Sequence, residues 1–249
     1  MSVTFLYLPK TSVSFTAIKT VVADTDYATT LTSEEKEIIE RDWQKVIEKS
    51  SKAFSKPEGL ATLTSHTETT FTFRPTDYKT YASMPKLSAK AKEGMRVAAI
   101  GGVIMLRDNL FIVKKRPMTA AHAGKFDASF AGFVPNETGM LLVEKTIQDK
   151  LVKDFSITQK NIVSVRLTGV HVETSHDLSC LFDILVHVGL SQKEVEQRLT
   201  TEQQKMYSYF TQEQLIAFIE QHKQEFLPDG IAAFHASLPE EARAKITFS

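Results

Sequence analysis

Residues 132–157, GFVPNETGMLLVEKTIQDKLVKDFSI, are the most informative segment of this 249-residue chain. A glycine opens the segment in a predicted turn, and the pattern that follows is typical of an amphipathic helix. Three charged residues, Lys150, Lys153 and Asp154, stand at positions i, i+3 and i+4 and therefore share one face of that helix. The apolar residues recur every four positions and predict a buried stripe, which consists of Val143, Ile147, Leu151 and Phe155.

The segments on both sides of this helix read as strands. Residues 97–106 form a nearly continuous apolar run that predicts a buried strand, and residues 110–113 return as its hairpin partner. Residues 162–172 and 178–188 predict a second hairpin. Two capping boxes predict helices after it, at 191–194 and 211–214.

Two features of the first hairpin bear on a possible site. Gly101 and Gly102 lie inside its first strand, where glycine often marks a bulge or the close approach of another group. Its second strand ends in Lys114, Lys115 and Arg116. Such a basic strand end is common on surfaces, where it favours solubility, but a guanidinium is also suited to binding a phosphate.

This order of elements, β-β-loop-β-turn-α-β-β-α-α, resembles the Nudix hydrolases, whose signature box reads G-x5-E-x7-R-E-U-x-E-E-x-G-U with U aliphatic. When Ile157 takes the final aliphatic position, the three metal-binding glutamates of the box fall on Lys150, Lys153 and Asp154. An aspartate stands at the arginine position, and the first half of the box is three residues longer here. The resemblance implies an α/β fold class, a Nudix-like α/β/α sandwich with a mixed sheet, over residues 94–249.

The charge at these box positions governs whether a metal could bind. Mg²⁺ takes oxygen ligands, usually carboxylates, waters and substrate phosphates. A charged lysine offers only donors, so Lys150 and Lys153 would repel the ion that Asp154 attracts. We therefore expect a degenerate box, with Mg²⁺ as a cofactor only if the protein is active. In an active enzyme Asp154 would be a metal ligand and a catalytic residue.

Residues 1–93 predict a separate small α+β module before the Nudix-like domain. The strand pattern and a capping box predict strands at 3–8 and 13–22, a helix beginning at 32–35, and a hairpin at 60–64 and 70–74. Trp43 lies on the apolar side of that helix and is predicted to be a core residue. The polar, basic residues 85–94 are the predicted linker.

The same module is similar to a segment found in the Nudix branch related to UDP-glucose hydrolases. The shared order is a helix with a tryptophan, a break containing phenylalanine at 53–55, a hairpin, and T-D-Y-K at 76–79. In that branch the segment helps to build the substrate pocket. The resemblance therefore implies a nucleotide or nucleotide-sugar ligand. In that setting Arg116 would contact phosphate, and Lys150 and Lys153 would add positive charge to the same hollow.

A second constellation of metal-ligand residue types lies near 171–177. His171 and Glu173 are two residues apart and so share one face of a strand, whereas His176 and Asp177 follow in a turn. Their spacing matches no standard metal motif, and a polar turn between two strands is the simpler explanation. Under the Nudix resemblance, a carboxylate from outside the box can assist the reaction, which makes Glu173 a second candidate catalytic residue.

Composition indicates an ordinary globular protein. The 30 basic and 30 acidic side chains give a formal net charge of zero, so no electrostatic signal favours nucleic acid or an anionic membrane. Cys180 stands alone among apolar neighbours and is predicted to be a buried, inert thiol. The sequence shows no signal peptide and no membrane span, and we expect a cytoplasmic protein.

Two classes of function compete on this sequence. The first is a non-catalytic Nudix-like module with impaired or no canonical hydrolysis, which binds a nucleoside-diphosphate-type ligand or a protein partner. The second is an active Nudix pyrophosphohydrolase of nucleoside diphosphate-linked compounds such as UDP-sugars. The number of carboxylates on the face shared by Lys150, Lys153 and Asp154 separates them, and that number is one where the family has three.

Overall fold

A computed structural model of the chain describes residues 3–49, 59–118, 122–173 and 178–247. The strands are β1 (Val3–Tyr7), β2 (Lys19–Val22), β3 (Gly59–His66), β4 (Thr70–Asp77), β5 (Val97–Met105), β6 (Phe111–Lys115), β7 (Phe126–Asp127), β8 (Phe130–Phe133), β9 (Asn136–Glu137), β10 (Met140–Leu141), β11 (Ile162–Glu173), β12 (Ser179–Val188) and β13 (Tyr207–Phe210). The α-helices are α1 (Ser33–Lys49), α2 (Tyr78–Ser83), α3 (Ala89–Glu93), α4 (Val143–Phe155), α5 (Gln192–Glu196), α6 (Thr201–Gln204), α7 (Gln212–His222), α8 (Pro228–Ser237) and α9 (Glu240–Arg243). Across those four ranges, no helix has the length and hydrophobicity that a membrane span requires.

One large mixed sheet organises the molecule. Its main path runs β1-β11-β12-β5-β3-β4-β2, while β6, β7, β8 and β13 extend it beside β5. β12 pairs with β5 in parallel, whereas β11 and β12 form an antiparallel hairpin. β6 follows β5 as a hairpin partner, and β8 also pairs with β5. The two predicted hairpins and the mixed character of the sheet are therefore confirmed.

Helices cover both faces of this sheet. Side chains alternate along a strand, so Ile100 and Phe182 point to the face on which α4 packs. Val103 and Leu185 point to the opposite face, where they pack with α8. The result is a three-layer α/β/α arrangement with a separate apolar core on each side of the sheet, which confirms the predicted fold class.

Helix α4 buries the stripe that its sequence predicts. Ile147, Leu151 and Phe155 are at most 2% exposed, and Val143 is 9% exposed. The helix ends at Ser156, which adopts the left-handed conformation with φ 54° and donates its N–H to the last turn. Ser156 stands where the Nudix box has glycine, the residue that adopts this conformation at least cost.

The first 93 residues contribute strands to the same sheet. β1 pairs antiparallel with β11, and Thr62 of β3 lies beside Val97 of β5. The capping box at the start of α1 is present, since Thr32 N–H donates to Glu35 Oε2 at 2.9 Å. The division into two modules at residue 93 stays a prediction. The predicted break at residues 53–55 lies outside the described residues.

Two predicted features of the N-terminal region are wrong in detail. The predicted linker, residues 85–94, contains α3, because Ser88 caps that helix and also donates its hydroxyl to Glu35 Oε1 at 2.5 Å. The predicted strand at 13–22 is a strand only at its end, as β2. Ser14 caps a 3-10 turn at Phe15–Ala17, which interrupts the extended backbone.

Gly102 permits close packing between β5 and Phe130. A Cβ at Gly102 would lie 2.0 Å from Cζ of Phe130, whose side chain is fully buried. The neighbouring Gly101 has room, with its nearest atom at 3.4 Å. We expect Gly102→Ala to lower the free energy of unfolding by about 3 kcal/mol, because the added methyl group overpacks the core. Gly101→Ala should change the free energy of unfolding by less than about 1 kcal/mol. Urea unfolding of both variants would check this, and equal losses would contradict it.

Candidate ligand-binding site

A cavity of about 300 Å³ opens on the α8 face of the sheet. Aromatic rings form one wall, with Tyr78 and Tyr81 from α2 and Phe133 from β8. The Tyr81 and Phe133 rings meet edge to face, with centroids 4.8 Å apart. Asp77 fixes the start of α2 by accepting the Thr80 N–H at 2.7 Å. This wall offers an apolar surface against which a planar ring could stack.

The floor of the cavity comes from two paired strands. Ala99 of β5 lies beside Leu181 of β12, and both of these residues line the cavity together with Gly101 of β5. Ser179, which begins β12, also lines the cavity. Its Oγ is buried and, within the described residues, has no hydrogen-bond partner.

Arg116 and Asp127 form the polar side of the cavity. Arg116 Nη1 lies 3.2 Å from Asp127 Oδ2, and the Ala128 N–H donates to Asp127 Oδ1 at 2.8 Å. Burial raises the pKa of Asp127 to about 6, although the Arg116 charge and the Ala128 hydrogen bond oppose the shift. The start of α8 packs on Asp127, since a Cβ at Gly230 would lie 2.9 Å from the Asp127 Cα.

A buried charge cluster lies behind the floor. His171 donates from Nδ1 to Asp183 Oδ2 at 2.9 Å and from Nε2 to Asp229 Oδ1 at 3.3 Å. Burial opposes the imidazolium, but Asp183 and Asp229 together outweigh it and raise the pKa of His171 to about 10. His171 is therefore a cation between two aspartates at neutral pH. Asp229, at the start of α8, also lines the cavity.

The second predicted constellation is only partly described. His171 and Glu173 are both buried and lie on the same face of β11, as their spacing predicts. Glu173 lies opposite Ser179 in the β11–β12 pairing but does not line the cavity. His176 and Asp177 fall outside the described residues. In the ranges that the structure describes, no group of three or more His, Cys, Asp and Glu could hold a metal ion.

The α4 positions that match the Nudix box are not among the residues that line the cavity. Asp154 is paired with Lys114, whose Nζ lies 3.3 Å from Oδ2. Lys150 lies across Gly132, so that a Cβ there would come within 2.5 Å of the lysine Cε. Lys153 is exposed. Of the predicted ligand-binding residues, Arg116 lines the cavity, and Lys150 packs against Gly132, which also lines it.

Sequence reasoning missed Ser179, Asp127 and Asp229 as site residues. One signal was present, because Asp183 interrupts the apolar run of β12 beside a histidine in the apolar run of β11. Charged residues in two adjacent buried strands have to be paired, and such pairs often lie at functional sites.

No protein-family model matches this sequence, and no curated protein matches it. Solved structures are similar to part of the chain, and two of them are described here. DR0079 from Deinococcus radiodurans is 11% identical with a TM-score of 0.37, and the match covers 50% of this chain and 72% of that one. A mutT/nudix family protein from Listeria innocua is 16% identical with a TM-score of 0.37, and the match covers 48% of this chain and 81% of that one. At these values neither likeness bears on activity or ligand.

Proposed function

We propose that this protein is a Nudix-like module that binds a nucleoside diphosphate or a nucleotide-sugar in the cavity. The observation that carries this proposal is the combination of an aromatic wall and a guanidinium in one cavity. The rings of Tyr81 and Phe133 suit a base, and Arg116 suits a phosphate. The cavity volume of about 300 Å³ is at the lower end of the range for small-molecule sites.

We further propose that canonical metal-dependent hydrolysis is impaired or absent. A magnesium site needs several oxygen ligands, and the box positions of α4 supply one carboxylate. That carboxylate, Asp154, already pairs with Lys114, while Lys150 and Lys153 stand at the other two positions. This donor set does not fit Mg²⁺. The Arg116 guanidinium in the cavity would instead favour phosphate binding that needs no metal.

Calorimetric titration in the presence of EDTA tests the binding proposal. We expect a nucleoside diphosphate to bind without metal and Arg116→Gln to weaken binding by about tenfold or more, because a hydrogen bond to a charged group contributes about 1.5–3 kcal/mol. Lys153→Gln is the matched control, since Lys153 is exposed and does not line the cavity. Its effect should stay below about twofold at physiological salt, where charges are screened over about 8 Å.

Three outcomes would contradict these proposals. Binding that disappears with EDTA would show a required metal, and Mg²⁺-dependent hydrolysis lost in Asp154→Ala would restore the pyrophosphohydrolase hypothesis. If no nucleotide binds, a protein-partner role becomes the better explanation. Thermal unfolding of Arg116→Gln is a necessary control, since the substitution leaves the buried carboxyl of Asp127 without its cation.

A further inference from the structure

The guanidinium that is proposed to bind phosphate is already paired within the cavity. Arg116 Nη1 donates to Asp127 Oδ2 at 3.2 Å, and a second carboxylate, Asp229, lines the same cavity. Among the described residues that line the cavity, one guanidinium therefore stands against two carboxylates, which leaves a net charge of −1 when both are ionised. The pyrophosphate of a nucleotide-sugar is itself anionic. Such a ligand needs additional positive charge to bind here.

Asp127 is held in place beside the cavity. The Ala128 N–H donates to Asp127 Oδ1 at 2.8 Å, and Asp127 is buried. The start of α8 packs directly on its backbone, since a Cβ at Gly230 would lie 2.9 Å from the Asp127 Cα. The Leu227 N–H also donates to the Phe126 carbonyl oxygen at 2.8 Å, which ties α8 to β7. The Asp127 carboxylate is therefore not free to swing away from a ligand, but a proton can still remove its charge.

The groups around Asp127 leave its carboxyl able to take that proton. Burial is the largest influence and favours the neutral acid, and Asp229 on α8 acts in the same direction. Arg116, Lys114 on β6 and the Ala128 N–H favour the carboxylate. The balance raises the pKa of Asp127 to about 6. An anionic ligand bound beside Asp127 would raise that pKa further.

We propose that the cavity takes up a proton on Asp127 together with its phosphate ligand. This inference rests on the proposed nucleotide binding. The proton neutralises the carboxyl that pairs with Arg116, so the guanidinium keeps its full charge for a phosphate oxygen. The proton thereby supplies the positive charge that a divalent cation would otherwise bring. Asp127 sets the pH range in which the cavity accepts an anion.

Linkage sets the direction of the pH dependence. A ligand that raises the pKa of Asp127 above about 6 binds more tightly as the pH falls, because the bound state holds more protons than the free state. If the ligand raises the proton affinity of Asp127 about tenfold, its own affinity rises by up to about tenfold. We expect UDP-glucose to bind roughly five- to tenfold more tightly at about pH 5 than at about pH 8.

Calorimetric titration of UDP-glucose in EDTA, at a series of pH values, tests the inference. The probe has no terminal phosphate, whose second proton titrates near about pH 6 and would obscure the result. Repeating the titration at about pH 6.5 in buffers of different ionisation enthalpy measures the proton uptake directly, and we expect about half a proton per ligand. His171 does not contribute, since its pKa of about 10 keeps it protonated throughout this range.

Asp127→Asn is the decisive variant. Asparagine has nearly the shape of the neutral acid and carries no charge at any pH. We expect this variant to bind UDP-glucose about tenfold more tightly than the parent at about pH 8, with no remaining pH dependence. His122→Asn is the matched control, because it removes a histidine that also lines the cavity. Asparagine tolerates the left-handed conformation of that position, where φ is 54°, and the pH dependence should persist.

The outcomes separate this inference from the proposed function. If the affinity for UDP-glucose does not change with pH and Arg116→Gln weakens it, nucleotide binding stands and proton coupling is wrong. Proton coupling through Asp127 is also wrong if proton uptake persists in Asp127→Asn or disappears in His122→Asn. Tighter alkaline binding in Mg²⁺ than in EDTA would overturn it too, since a metal would then supply the charge.

Two further results are informative. If Asp127→Asn does not fold, the proton uptake of the parent and of His122→Asn still decides the question, because a value of zero in either protein contradicts the inference. If UDP-glucose does not bind at any pH, the proposed function fails for nucleotide-sugars, and this inference fails with it.

Discussion

Asp183→Asn is expected to lower the free energy of unfolding by about 3–5 kcal/mol at pH 7, the range for removing one partner of a buried ion pair. Asp183 and His171 are both completely buried, with Oδ2 and Nδ1 2.9 Å apart. Asparagine has nearly the same shape, so the loss would report charge. After the change, His171 keeps only Asp229 as an anionic partner, and its burial is no longer compensated.

Urea unfolding of parent and variant would measure this effect. Asp149→Asn is the matched control, because it makes the same chemical change at an exposed position of α4. It should alter stability by less than about 0.5 kcal/mol. A similar small loss in both variants would mean that the buried cluster contributes little to stability.

The second large effect is a loss of stability at alkaline pH. The pKa of His171 is about 10 in the folded protein against an ordinary value of 6.5, so folding favours the protonated imidazole. The stabilisation is complete below pH 6.5 and is lost as the pH rises towards 10. Across that window we expect the free energy of unfolding to fall by up to about 5 kcal/mol from this group.

Chemical denaturation at a series of pH values within this window would check the prediction. The slope should become shallower in Asp183→Asn, because the pKa of His171 falls when one of its two anionic partners is removed. A parent protein whose stability is flat across the window would contradict the assignment of His171 as a buried cation.

Elements with a local chemical signal could be predicted from the sequence. The capping box at Thr32 marks the start of α1, and the four-residue apolar spacing marks α4. The spacing of His171 and Glu173 placed both side chains on one face of a strand, and the structure confirms this. Arg116 was the one predicted ligand-binding residue that lines the cavity.

The burial of α8 and the composition of the cavity depend on tertiary packing. Eight of the ten residues of α8 are buried, so this helix shows no amphipathic period, and no local pattern indicated that Asp229 lines a cavity. The sequence also did not indicate on which side of the sheet each side chain lies. Lys150 of α4 packs behind Gly132, whereas Arg116 lines the cavity, and no sequence pattern distinguished these two placements. Which face a strand presents is set by its partners, not by its own residues.

The pairing of β1 with β11 sets an order of events during synthesis. Val3 lies opposite Glu173, and Phe5 lies opposite His171. Strand β1 therefore cannot form this pairing until β11 has been synthesised. At the usual rate of translation this interval is roughly 10–30 s. The Phe5 ring then packs edge-on against the His171 ring, with centroids 5.6 Å apart. We expect the buried imidazolium to be shielded from water among the last steps of folding, since Phe5 and the two anionic partners are far apart in sequence.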